Sequence, residues 1–354
     1  MSTTSVQNQV FSLSWLINSA AAHQWGQTDL QNALNAISGN IGTWTVVWGP
    51  YLFYPQGSQD VANAMFVAQG TDSNNNPIYV VAIAGTNMSS SYDWMTEDLD
   101  ITPINWPYAT GSPTMQVTTG DNIGLTTLLG MVSGGNTLQA FLAGIQNKNK
   151  ASLWFTGHSL GGALSPMMTL ALMDPNSSLN SSNNVSYANW GSVSLLATAG
   201  PSTGNQAFVD YFFSTLQSTN VNASSFIWNG ADVVPHAWNA QTMNALTNPN
   251  IYGLTLDPTK CLAKTLSKMQ AAASAQSYQM FQTSPAFSGP LQPYSKSYLW
   301  SAEAQFLAQT AYQHINAYVD HFQTTWLSVP TNLCQSAWEA GIALVLFNSE
   351  ACPS

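Results

Sequence analysis

Short apolar runs alternate with segments of helical spacing along most of this chain, and that alternation predicts an α/β fold. Ala62 to Gly70 and Ile78 to Ala84 read as strands separated by a polar cluster, Thr71 to Pro77, which predicts an early β-hairpin. Further on, Ser152 to Thr156, Val193 to Thr198 and Ser225 to Trp228 are compact apolar runs, each followed by residues at helical spacing. Strands linked through helices run parallel and are covered on both faces, so a mostly parallel central sheet flanked by helices is expected. Asp121 to Ile145, Leu160 to Met173 and Asn205 to Leu216 are the main helix candidates, with a Ser/Asn-rich loop from Asn176 to Asn189. Residues 257–293 read as an insertion with a helix from Cys261 to Ala275, and Ser301 to Trp326 and Gln335 to Phe347 as mostly helical. No internal repeat is visible, and one domain spanning residues 1–354 is expected.

Composition narrows the function classes. Hydrophobic residues make up 45% of the chain, enough for a large core, but only 6% of residues are charged and none is arginine. The net charge of −10 repels phosphate backbones, and without arginine the chain lacks the bidentate Arg contacts that nucleic-acid readout favours, which argues against nucleic acid as a partner. Solubility must rest on Asn, Gln, Ser and Thr, a composition that favours a secreted protein, although Met1 to Ala22 does not have the pattern of a signal peptide. No stretch approaches the roughly 18 apolar residues that span a bilayer. The three cysteines, Cys261, Cys334 and Cys352, form no metal-binding pair; a Cys334–Cys352 bridge and two unrelated thiols are both open.

The strongest chemical signal is Gly157-His158-Ser159-Leu160-Gly161, placed where an apolar strand runs directly into a helix. A strand-to-helix turn of this kind strains its serine and presents Oγ above the sheet, with small flanking residues and the positive end of the helix beside it. Ser159 is therefore the candidate nucleophile. A serine hydroxyl needs a base, and the base needs an acid to orient it, so a carboxylate and a histidine should follow in chain order. Asp232 lies just past a strand end, where such sheets build their sites. Of the five histidines, His314 and His321 remain as bases. They are seven residues apart, so on one continuous helix they would stand about 10 Å apart along the axis, and only one reaches the serine. His314, taken to begin a helix, is favoured. The Leu160 N–H and Thr86, in the turn after Tyr79 to Ala84, are the oxyanion-hole candidates.

Five separated segments together resemble the class 3 (fungal-type) lipases. Ala84-Gly85-Thr86 resembles the family's oxyanion turn, and Gly157 to Leu164 its nucleophile elbow. Ala199 to Phe208 resembles its Gly-x-Pro-x-x-Gly-Asn-x-x-Phe segment, and Asn229 to Pro235 its acid loop, while His314 with Tyr318 resembles its last histidine segment. Two places depart from the pattern, Ala84 where Arg is frequent and Val117 to Gly120 where His-x-Gly-Phe is usual. The resemblance implies an α/β-hydrolase fold, a triad of Ser159, Asp232 and His314, no cofactor or metal, and a lipid or other ester as substrate, met at a lipid–water interface. It also implies a lid, for which residues 88–98 are the candidate, with Trp94 and Met95 over the acyl groove. A lipase or carboxylesterase is the leading reading. Phospholipase, galactolipase or acyltransferase action on the same triad, and an idle lipid-binding protein, are the alternatives.

Overall fold

Helices α1 (Val6–His23), α2 (Gln27–Ala36) and α3 (Ser38–Ile41) precede strands β1 (Thr45–Phe53), β2 (Asn63–Thr71) and β3 (Pro77–Ile83). After β4 (Pro103–Asn105) and β5 (Gln116–Thr118) come α4 (Thr119–Gly130), the hairpin β6 (Val132–Ser133) and β7 (Asn136–Thr137), and α5 (Leu138–Gly144). Then β8 (Ser152–His158), α6 (Leu160–Met173), β9 (Ser192–Thr198), β10 (Gly204–Asn205), α7 (Gln206–Gln217) and β11 (Val221–Ile227) follow. The chain continues through α8 (Val233–His236), α9 (Cys261–Ser274), β12 (Tyr278–Gln279), α10 (Ala302–His314) and α11 (Asn316–His321). This computed structural model describes residues 5–87, 99–109, 114–181, 185–217, 221–247, 249–281, 286–293 and 301–327. The lid candidate 88–98, with Trp94 and Met95, lies outside them, as do Gln335 to Phe347, Cys334 and Cys352.

The main sheet has six strands in the order β1-β2-β3-β8-β9-β11. β1, β2 and β3 pair antiparallel, and β3, β8, β9 and β11 pair parallel. Pleating sends alternate side chains to opposite faces, and here both faces are covered. Met65, Val67, Val81, Leu153 and Phe155 face one apolar layer, which includes residues of α4, α5, α6 and α7. Ala64, Phe66, Val80 and Ala82 face another, shared with α1, α2 and α11. A third cluster joins Leu262 and Leu266 of α9 to Phe306 of α10 and to Met243 and Leu246, so the expected insertion packs against the helix that ends at His314. Among the described residues no helix is long and apolar enough to cross a membrane.

Most expected strands and helices appear within a few residues of their predicted positions, with three differences. The long helix expected over Asp121 to Ile145 is two helices separated by a hairpin. Gly134 and Gly135 have φ of 57° and 81°, the left-handed pair that a two-residue hairpin turn requires, and this turn chemistry overrides the helical spacing around it. His314 ends a helix rather than beginning one, because the ladder breaks at Ile315 (φ −114°, ψ −74°) before α11 starts. Finally, Cys261 is disulfide-bonded, a bridge that neither cysteine arrangement considered from the sequence included.

Candidate active site

β8 ends at His158 and α6 begins at Leu160, so Ser159 alone makes the turn between them, at φ 62° and ψ −127°. A positive φ on a residue with a Cβ is strained, and the turn persists because its surroundings leave no alternative. A Cβ on Gly157 would run into the backbone of Gly161, and one on Gly161 into the carbonyl oxygens of Ile83 and Ala84. The Thr198 carbonyl at the end of β9 holds the turn from below, accepting the Ser159 N–H at 3.0 Å. The first N–H groups of α6 have no intrahelical acceptor and point towards the serine end of the helix, and the Leu160 N–H is among them.

The turn after β3 lies directly against the nucleophile, since a Cβ on Gly85 would stand 3.0 Å from the Ser159 Cβ. Thr86, the next residue, is half-buried. The Gly85 N–H donates to Asn18 Oδ1 of α1 at 2.7 Å, which ties this turn to a helix 67 residues upstream.

On the far side, His314 Nδ1 lies 2.8 Å from Asp232 Oδ2, joining the acid loop after β11 to the end of α10. Asp232 is fully buried and its charge is met by several donors. Oδ2 also accepts from the Tyr318 hydroxyl at 3.0 Å, and Oδ1 from the Val234 N–H at 3.1 Å. The Tyr318 hydroxyl in turn accepts the Asn229 N–H at 3.0 Å. Burial first, and then the neighbouring Asp232 charge, push the Tyr318 phenol well above its ordinary range, so it stays a donor. Asn229 closes the loop with its side chain, donating to the Gln313 carbonyl at 3.0 Å and accepting from the Ala231 and Gly289 N–H groups. His314 keeps 15% of its side chain exposed and lies against the elbow, its ring centroid 4.8 Å from that of His158. His321, the other histidine considered as base, stacks on Phe287 at 4.1 Å instead.

The structure thus brings Ser159, Leu160, Thr86, Asp232 and His314 to one end of the parallel sheet. Asn18, Tyr318's double role and the partners of His158 were not read from the sequence. Asn18 is a half-buried amide among the apolar residues of α1, and that was the available signal. No group of metal-ligand type is found among the described residues.

Residues 80–242 match the family model of class 3 lipases, a span that includes Thr86, Ser159, Leu160 and Asp232. That stretch is similar to the class 3 lipases. The match supports a carboxylic ester hydrolase, and His314, outside the matched span, is joined to it by its bond to Asp232. Among solved structures, a match titled M37 lipase has a TM-score of 0.73 at 24% identity, covering 96% of this chain and 99% of that one. It shows the same α/β-hydrolase fold. A lipase–propeptide complex from Rhizomucor miehei (20% identity, TM-score 0.43, 66% of this chain and 63% of that one) is more distant. So is a lipase from Rhizopus microsporus var. chinensis (16%, 0.44, 66% and 70%). No curated protein matches the chain.

Proposed function

We propose that this class 3 lipase relative hydrolyses carboxylic esters with apolar acyl chains, triacylglycerols foremost, through an acyl-enzyme on Ser159. The observation that carries the reading is the buried Asp232 carboxylate bonded at 2.8 Å to His314, with the imidazole packed against the strained elbow that presents Ser159. Asp232 holds the proton on Nδ1, which leaves Nε2 unprotonated and able to take the serine proton. Oγ attacks the ester carbonyl carbon as His314 accepts that proton, and the carbonyl π electrons move onto oxygen. The Leu160 N–H and Thr86 are the donors for that oxyanion. Collapse breaks the bond to the alcohol, which leaves with the proton held by His314. Water then repeats the sequence on the acyl-enzyme, releases the acid and restores the serine.

No residue of this machinery calls for a cofactor. The substrate is met at a lipid–water interface, and the protein acts outside the cell; the scarcity of charge supports the last point. The test is hydrolysis of an ester series from acetyl to long-chain acyl, ending with emulsified triacylglycerol, with Ser159→Ala as the blank. Long-chain and emulsion activity that is absent from the blank is the expected result. Activity on short soluble esters alone reduces the reading to an esterase, and a product formed by acyl transfer to an added alcohol in preference to water makes it a transferase. An active blank removes Ser159 from the mechanism.

A further inference from the structure

His158 is more than a neighbour of the nucleophile. It is buried, yet both of its ring nitrogens have polar partners: Nε2 lies 2.8 Å from the backbone carbonyl of His314, and Nδ1 lies 3.0 Å from Thr198 Oγ1. Burial first, and then the nearby His314, hold the imidazole well below the ordinary histidine range, so it is neutral and carries one proton. A carbonyl oxygen can only accept, so that proton sits on Nε2 and is donated to His314. Nδ1 is then an acceptor facing the Thr198 hydroxyl, whose single proton it shares with the Gly157 carbonyl, 3.2 Å from Oγ1. The tautomer therefore follows from the partners.

The His314 carbonyl is available for this bond because α10 ends there. The Tyr318 N–H, which would reach it in a continuing helix, bonds to the Ile315 carbonyl at 3.2 Å instead. Phe11 and Trp15 of α1 close over the imidazole, with ring centroids at 6.2 and 6.0 Å, and Tyr318 meets it edge-on at 5.0 Å. The residue that precedes the nucleophile thus grips the main chain of the residue that carries the base.

We propose that His158 is a positioning residue that fixes the distance between Ser159 and His314: its Nε2–H holds the His314 main chain, as Asp232 holds the ring. This rests on the triad reading above. Without the bond, His314 is still anchored at Nδ1, but its backbone can move away from the elbow, and a misplacement of about 1 Å costs on the order of 10²-fold in rate.

The experiment compares His158→Phe, which keeps an aromatic ring and removes the donor, with His158→Gln, whose Nε2 can reach the same carbonyl, and Thr198→Val, which removes the hydroxyl partner of Nδ1. Each is read by kcat and KM on a soluble ester, by the rate of fluorophosphonate labelling, and by the low-field NMR resonance of the proton between His314 Nδ1 and Asp232. A loss of kcat of about 10²-fold in His158→Phe is expected, with KM little changed, slowed labelling and a displaced or broadened resonance. His158→Gln should recover most of the loss, which a purely structural role would not predict for kcat alone. Wild-type kcat and an unmoved resonance in His158→Phe would overturn the proposal. If that variant does not fold, unchanged kcat in Thr198→Val together with loss of activity in a folded His158→Gln would overturn it. The resonance can be read without turnover, so hydrolysis persisting in Ser159→Ala would refute the triad reading and leave this test standing.

Discussion

Tyr318→Phe removes a single oxygen from the most densely bonded part of the site, and its cost can be worked from the two bonds that oxygen makes. The hydroxyl donates to the Asp232 carboxylate at 3.0 Å, and hydrogen bonds to charged groups contribute about 1.5–3 kcal/mol. It also accepts the N–H of Asn229, a fully buried residue, so the substitution strands a backbone donor, at a further cost of about 1–3 kcal/mol. The phenylalanine ring fits where the tyrosine ring was, so packing changes little. The sum is about 2.5–6 kcal/mol of lost stability, a large share of the roughly 5–15 kcal/mol typical of a folded domain. Asp232 keeps His314 and the Val234 N–H, so the imidazole stays oriented and kcat should fall only about tenfold, equivalent to about 1.4 kcal/mol. Urea unfolding followed by tryptophan fluorescence, and ester hydrolysis well below the melting temperature, read the two effects separately. A stability loss under about 1 kcal/mol would refute the reasoning, because the bonds would then be replaced at no cost.

Two other perturbations follow from the same geometry. Gly161→Ala drives a methyl group into the carbonyl oxygens of Ile83 and Ala84, so the elbow must shift; the expected outcome is loss of fluorophosphonate labelling with the chain still folded by circular dichroism. Because burial lowers the His158 pKa, the unfolded chain takes up that proton first as the solution is acidified. The stability tied to this group is complete above about pH 6.5 and is lost as pH falls below it, with a slope approaching about 1.4 kcal/mol per pH unit. His321 is shifted in the same direction by burial but is more exposed, so it adds little. Between pH 8 and pH 5 the unfolding free energy of wild type should fall relative to that of His158→Gln once pH drops below 6.5, and parallel curves would contradict the assignment.

The elbow was legible in the sequence because its cause is local: an apolar strand, a residue between glycines and a helix are adjacent in the chain, and they fold into the turn that strains Ser159. The paired strands were legible for the same reason, their apolar runs being short and bounded by turn residues. What could not be read depends on distant contacts. Asn18 meets Gly85 across 67 residues, and His158 meets His314 across 156. Periodicity around His314 runs through Ile315 without interruption, so the end of α10 was invisible, although that end frees the carbonyl His158 binds. The Gly134-Gly135 turn was written locally but outweighed by the helical spacing on either side.

The central claim is that Ser159 is the acylated residue. Its most direct test is to react the protein with a fluorophosphonate and with a slowly turned-over ester, digest it, and locate the added mass by tandem mass spectrometry. The account predicts one modified peptide in each case, carrying the mass on Ser159 and unmodified in His314→Ala. Mass on another residue, or ester hydrolysis with Ser159 unmodified throughout turnover, would contradict it.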